Sequence, residues 1–160
     1  MKKIYETKIV DIKPGTLDMG IKNKIIDAYV EVEVGGLKFW CFVYEGWRTG
    51  IWSLSMKDKT VLLEFIFLNI PIAETKMSHK MEKKIAPIPN QKKPCDYIIT
   101  GEIVDKEPHP KLHNREKIQV NFGIIVRLSG SIEKNQLKIG DYIQARGRLD
   151  AHLIDKGGVK

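Results

Sequence analysis

The segment KIGDYIQARGRLDAHL, residues 138–153, decides the fold of this chain, because its side chains alternate with the period of a β-strand. One side of that strand is apolar and carries Ile143, Ala145 and Leu149. The other side is a row of six polar side chains: Tyr142, Gln144, Arg146, Arg148, Asp150 and His152. This row has two interpretations, a surface that binds a ligand or the solvated side of a sheet.

The preceding run, KIQVNFGIIVRLSG at residues 117–130, alternates in the same way. Gly123 interrupts its period, and Gly147 lies inside the last strand. Glycine at such points is typical of the bulges and sharp bends that close small barrels. Short strands without a clear amphipathic helix therefore predict an all-β barrel or sandwich.

Two halves of the chain share an order of elements. KIVDIKP at residues 8–14 is matched by EIVDKEP at residues 102–108, and each half ends in a turn with aspartate that leads into a long strand. The order predicts an internal duplication. We expect a first repeat over residues 1–72, a second over 96–160, and a linker rich in lysine and proline over 73–95.

The net charge of +7 is concentrated in one short segment. Residues 1–75 contain ten basic and ten acidic residues, whereas residues 76–95 contain six lysines against Glu82. Residues 96–160 contain eleven basic and nine acidic residues. A basic excess favours a nucleic-acid partner, whereas a solvated lysine-rich linker would produce the same distribution of charge without one.

Aromatic residues are concentrated in the first half. The strand LKFWCFVYE, residues 37–45, is apolar on both faces, which predicts burial in its own core and against a second surface. That surface is the other half, a second copy of the chain or a partner. Four aromatic residues of this half have two interpretations. They form a stacking platform, or they pack at the mouth of a barrel or at an interface: Trp40, Tyr44, Trp47 and Trp52.

Catalysis, metal binding and membrane insertion find no support in the sequence. Pro108 and Pro110 flank His109, which indicates a loop, and His109 and His113 lack a third ligand nearby. No motif for a nucleophile or a phosphate loop occurs. Cys41 and Cys95 lie in unrelated contexts, which predicts a reducing, cytoplasmic setting. We therefore expect no enzyme activity, no cofactor, no metal and no membrane span.

A family resemblance adds to this pattern. LKIGDYIQARGRLDA, residues 137–151, resembles the closing strand pair of OB-fold domains, and YIITGEIVD, residues 97–105, resembles their first strand. The resemblance covers residues 97–154 and, in outline, residues 4–70. It implies five-stranded Greek-key barrels of a family that commonly binds single-stranded nucleic acid on the face of strands 2 and 3.

The sequence therefore predicts two similar OB-like barrels that bind single-stranded nucleic acid without catalysis. Alternate side chains on a strand are about 7 Å apart, close to the spacing of phosphates in an extended strand. The expected contacts are Lys83, Lys84, Lys117, Gln119, Arg127, Tyr142, Arg146 and Arg148. The alternative is a protein-interaction or homodimerisation module that uses the aromatic first half.

Overall fold

The computed structural model describes residues 2–18, 20, 24–69 and 76–154. In these residues the chain forms strands and one 3₁₀ turn (Leu54–Met56), so the all-β prediction is confirmed. The strands are β1 (Tyr5–Pro14), β2 (Leu17–Asp18), β3 (Lys24–Ile25), β4 (Ala28–Val34), β5 (Leu37–Val43), β6 (Thr60–Leu68), β7 (Lys76–Met77), β8 (Lys84–Pro87), β9 (Asp96–Pro108), β10 (Arg115–Asn121), β11 (Ile125–Leu128), β12 (Ile132–Glu133) and β13 (Tyr142–Leu153). Nowhere in this described part does a helix reach the length and apolarity needed to cross a bilayer.

The strand pairings close two circuits of five strands that share β6 and β13. The first circuit runs β1, β4, β5, β13 and β6, and the second runs β9, β10, β11, β6 and β13. Each circuit contains one parallel pair, β5 with β13 or β11 with β6. Each circuit closes on itself, so the pairing is ring-like. Because both circuits use β6 and β13, the predicted division into two separate barrels is not confirmed.

Strands β6 and β13 each begin in the circuit of their own half and end in the other. β13 pairs with β9 over residues 142–148 and with β6 over residues 149–153. β6 pairs with β1 over residues 60–63 and with β11 at residues 66–67. Each half therefore supplies the last strand of the other half's circuit.

The two IVD tripeptides occupy equivalent positions in the two circuits. In β1 the register shifts between Ile9 and Asp11, and in β9 the same shift falls at residues 103–105 opposite β10. In both bulges the aspartate Oδ1 accepts the next backbone N–H at 2.9 Å, from Ile12 in one case and Lys106 in the other. Each bulge therefore bends the first strand of its half in the same way.

The turns before the two shared strands are also equivalent. The carbonyl of Ile9 accepts the N–H of Asp58 at 2.7 Å, and the carbonyl of Ile103 accepts the N–H of Gly140 at 2.8 Å. Asp58 and Gly140 both have positive φ, 68° and 97°. The aspartate-containing turns noted in the sequence thus anchor β6 and β13 to the two bulges.

One hydrophobic core runs through both circuits. Phe39 of the first half packs edge-on against Phe65 at 5.5 Å and against Phe122 of the second half at 6.1 Å between ring centroids. All three rings are almost completely buried. The inner face of the doubly apolar β5 is therefore covered by both halves, which accounts for one of its two apolar faces.

Reciprocal hydrogen bonds also join the halves. The hydroxyl of Tyr97 in β9 accepts the backbone N–H of Trp40 in β5 at 2.8 Å. The hydroxyl of Tyr5 in β1 accepts the backbone N–H of Ile125 in β11 at 2.8 Å. Each tyrosine thus satisfies a strand-edge donor that lies in the opposite half.

The described part of the segment predicted as a linker packs against the second half. β7 pairs with β13 at residues 143–144, and β8 pairs with β9 over residues 97–100. The predicted boundaries at residues 72 and 96 stay a prediction.

Candidate nucleic-acid interface

Four aromatic side chains line the outer face of β4 and β5, and we call them the aromatic row: Tyr29, Trp40, Phe42 and Tyr44. Trp40 and Phe42 point outward because Phe39, Cys41 and Val43 alternate with them into the core. Phe42 lies 5.6 Å from Tyr29 and stacks on Tyr44 at 6.3 Å with an angle of 19° between the rings. Tyr44, just past β5, is 44% exposed.

Cations lie directly over two rings of this row. Lys13 Nζ is 4.9 Å from the ring centre of Trp40, and the guanidinium carbon of Arg148 is 4.3 Å from that of Phe42. Both distances fall within the range of cation–π attraction. A hydrogen bond to the Tyr29 hydroxyl raises the pKa of the exposed Lys93, and this contact places a third cation beside the row.

Arg148 is held by a buried carboxylate. Its Nε and Nη2 donate to the two oxygens of Asp150 at 2.6 and 2.9 Å, and Asp150 is 4% exposed. This hydrogen bond raises the pKa of Arg148. The bidentate pair orients the guanidinium plane over Phe42, so Arg148 contributes a fixed surface rather than a freely moving charge.

A cleft of about 560 Å³ lies beside the aromatic row and is lined by three cations, Lys93, Arg146 and Arg148, with Asp96 as the acidic member. We call it the cationic cleft. Its remaining lining residues are Leu68, Ile88 and Gly147. Two arginines of the predicted polar row and one lysine from residues 76–95 therefore meet in a single groove.

Other residues predicted as nucleic-acid contacts lie farther along β8 and β9. Lys83 Nζ is 3.6 Å from Glu102 Oε1, and Lys84 Nζ is 2.9 Å from Glu82 Oε1. Tyr142 lies opposite Glu102 in the β9–β13 register. Acidic neighbours therefore offset the charge of both lysines at this end of β13.

Lys117, Gln119 and Arg127 lie on the outer face of β10 and β11, which are not paired with β13. Lys117 Nζ donates to the carbonyl of Ser129 at 2.8 Å. Gln119 is paired in register with both Arg127 and Asp105. The structure does not bring this group together with the arginines of β13.

The two outer faces are nevertheless equivalent by register. Arg127 occupies the position in the second circuit that Trp40 occupies in the first, and Lys117 corresponds to Tyr29. The aromatic row therefore belongs to the first circuit alone.

Trp47 and Trp52 belong to the core rather than to the row. They are 6% and 2% exposed, and their rings stack at 5.6 Å. Trp47 Nε1 donates to the carbonyl of Val43 at 3.0 Å. These two tryptophans therefore brace the loop that follows β5.

Sequence reasoning missed Lys13, Tyr29, Phe42 and Lys93. The alternation of Trp40, Phe42 and Tyr44 was a sufficient signal for Phe42. No local signal identifies Lys13 or Lys93, because a distant strand and a distant loop bring them to the row. Scans of the whole chain against protein-family models and against curated proteins find no match.

Proposed function

We propose that this protein binds single-stranded nucleic acid without catalysis, with bases stacked on the aromatic row and phosphates in the cationic cleft. One observation carries the proposal: Trp40 and Phe42, alternate outward side chains of β5, lie under Lys13 and Arg148 and beside a groove lined by three cations, Arg148 among them, and one carboxylate. Aromatic platforms next to a basic groove are how proteins bind single strands without reading sequence.

The spacing of the row supports stacking of successive bases. Alternate side chains on a strand are about 7 Å apart, so Trp40, Phe42 and Tyr44 match the step of an extended strand. A base stacked on an aromatic ring contributes about 1–3 kcal/mol. At the Trp40 end, Lys13 lies over the ring and Glu31 lies opposite Trp40 in the register, so one positive and one negative group accompany the stacking surface.

The finer description of the fold, two OB-like barrels produced by duplication and sharing strands, is part of the same proposal. Support comes from the two five-strand circuits, the matched bulges at the IVD tripeptides and the parallel pair in each circuit. Under this description β4 and β5 correspond to strands 2 and 3 of an OB-fold, the face that commonly binds single strands.

The proposal is tested by titrating a fluorescently labelled oligonucleotide with the protein over a series of salt concentrations. We expect log K to fall with log salt with a slope of about −1.4, because Lys93 and Arg146 would each neutralise one phosphate of the single strand and each phosphate contributes about −0.7. Arg146→Ala should weaken binding and reduce the slope by about 0.7.

Trp40→Leu should weaken binding about fivefold or more while leaving the salt slope unchanged, because it removes a stacking surface and no charge. Lys111→Ala is the matched control, since Lys111 is exposed in the turn between β9 and β10. Binding that is independent of salt, or equal losses in Arg146→Ala and Lys111→Ala, contradicts the proposal.

An assembly role is the second candidate, favoured by two apolar side chains of the first half, Ile51 and Leu54, that are each 54% exposed. It predicts a dimer that persists at high salt and a tryptophan fluorescence that oligonucleotides do not change. Light scattering alongside the titration separates the two candidates.

A further inference from the structure

A second cleft, of about 640 Å³, opens where the aromatic row ends at Tyr44. We call it the end cleft. The loop after β5 forms one wall and the end of β13 forms the other; its lining includes Tyr44, Arg48, Ile51, Trp52, His152 and Leu153. Its volume falls within the range of small-molecule sites, about 300–1,000 Å³.

Internal bonds hold the loop wall in shape. The N–H of Trp52 donates to the carbonyl of Gly46 at 2.9 Å, and Thr49 Oγ1 donates to the same carbonyl at 3.3 Å. Gly46 has φ +93°, a conformation that favours glycine. Because the buried Trp47 and Trp52 stack beneath this turn, the cleft is formed before any ligand binds.

The lining combines apolar walls with a few polar groups. Ile51, Trp52 and Leu153 supply apolar surface. Glu45 adds a hydrogen-bond acceptor to the same cleft, and Arg48 adds hydrogen-bond donors. Arg48 Nη2 is 3.1 Å from Asp18 Oδ2, which restrains the guanidinium without burying it. Apolar walls with a few polar groups are the usual composition of a small-molecule site.

Tyr44 belongs to both the aromatic row and the end cleft. It stacks on Phe42 and meets His152 edge-on at 5.8 Å between ring centroids. A strand that follows the row past Tyr44 therefore reaches the cleft, where the buried Trp52 and Ala151 close the floor.

We propose that the end cleft takes the terminal nucleobase of the strand bound along the aromatic row. The inference rests on the proposed function and adds to it a preference for free strand ends. Glu45 is the acceptor for an exocyclic amino group, and Arg48 is the donor for a ring carbonyl or the last phosphate.

The test compares a linear oligonucleotide with its covalently closed circle, which has the same sequence and no terminal base. We expect the parent protein to bind the linear form about fivefold or more tightly, the contribution of at least one stacked base. A 2-aminopurine at one end of the linear form should change its fluorescence on binding more than the same base at the centre.

Two substitutions at Ile51 separate steric from electrostatic effects. Ile51→Glu and Ile51→Arg introduce opposite charges, and both fill the mouth of the cleft. Each should lower the affinity for the linear oligonucleotide to that for the circle and remove the terminal 2-aminopurine signal. Ile139→Glu is the control, because Ile139 is 60% exposed and lies outside the cleft.

The outcomes separate the two proposals. Equal affinity for linear and circular forms overturns the end-cleft proposal and leaves the aromatic row standing. If Ile51→Arg binds the linear oligonucleotide more tightly than the parent protein does, the proposal is also overturned, because the added charge and not the filling of the cleft then determines the affinity. If neither form binds, both proposals fall. A free nucleoside monophosphate that competes as well as the linear strand shows a nucleotide pocket independent of the row, which also overturns the inference.

Discussion

The charge of Arg148 is engaged within the chain before any ligand arrives. Its side chain is 33% exposed and forms two hydrogen bonds with Asp150, whose side chain is 6% exposed. Arg146, two residues earlier on the same face, is exposed. The sequence pattern treats the two arginines alike because they share one strand face, whereas the structure buries them to different extents.

Arg148→Ala should therefore destabilise the fold. Removing the guanidinium leaves the carboxylate of Asp150 in a nearly closed site without its bidentate partner, at a cost of about 2 kcal/mol. Urea denaturation followed by tryptophan fluorescence measures the loss. Arg146→Ala is the matched control, with a loss below about 1 kcal/mol. An unchanged urea midpoint for Arg148→Ala would show that the pair contributes nothing.

At the scale of single elements, glycines mark the points where strands approach too closely for a side chain. Gly147 continues the β9–β13 register without the shift that a bulge would produce, and the predicted bend at this residue stays a prediction. A Cβ at this residue would lie 2.2 Å from the carbonyl oxygen of Leu68. Gly123, in contrast, lies in the turn between β10 and β11 with φ +128°, which agrees with the predicted sharp bend.

Gly147→Ala should destabilise the protein by about 1–3 kcal/mol, because the overlapping atom belongs to the backbone of β6 and moves only with that strand. Gly20→Ala is the control, since the nearest atom to a Cβ there would be Asp18 Oδ1 at 3.4 Å, an ordinary van der Waals contact. Thermal unfolding of both variants measures the difference. A Gly147→Ala protein as stable as Gly20→Ala would mean that β6 and β13 can separate at this point without cost.

At the scale of the whole molecule, neither half closes its own circuit. The first half lacks the strand that residues 149–153 supply, and the second lacks the contribution of residues 66–67. The core also crosses between the halves at Phe39 and Phe122. The two predicted repeats therefore depend on each other for closure and for burial of apolar surface.

Residues 1–75 and 76–160, expressed separately, should each lack a cooperative unfolding transition, because each exposes core surface and strand edges. Mixing the two fragments should restore the transition and give a one-to-one complex. Circular dichroism with size-exclusion chromatography measures both effects. A fragment that unfolds cooperatively by itself would support two independent domains and contradict mutual closure.

By itself the sequence determined the all-β class, the matched IVD tripeptides and the polar row of β13, because strand period and turn residues are local properties. It also identified Arg146 as a surface cation and Trp40 and Tyr44 as candidate platforms. The tertiary structure alone shows that β6 and β13 are shared and that Lys13 and Lys93 lie beside the aromatic row. Those outcomes depend on which strands become neighbours, and pairing over long separations is set by the combined burial of many side chains rather than by any local pattern.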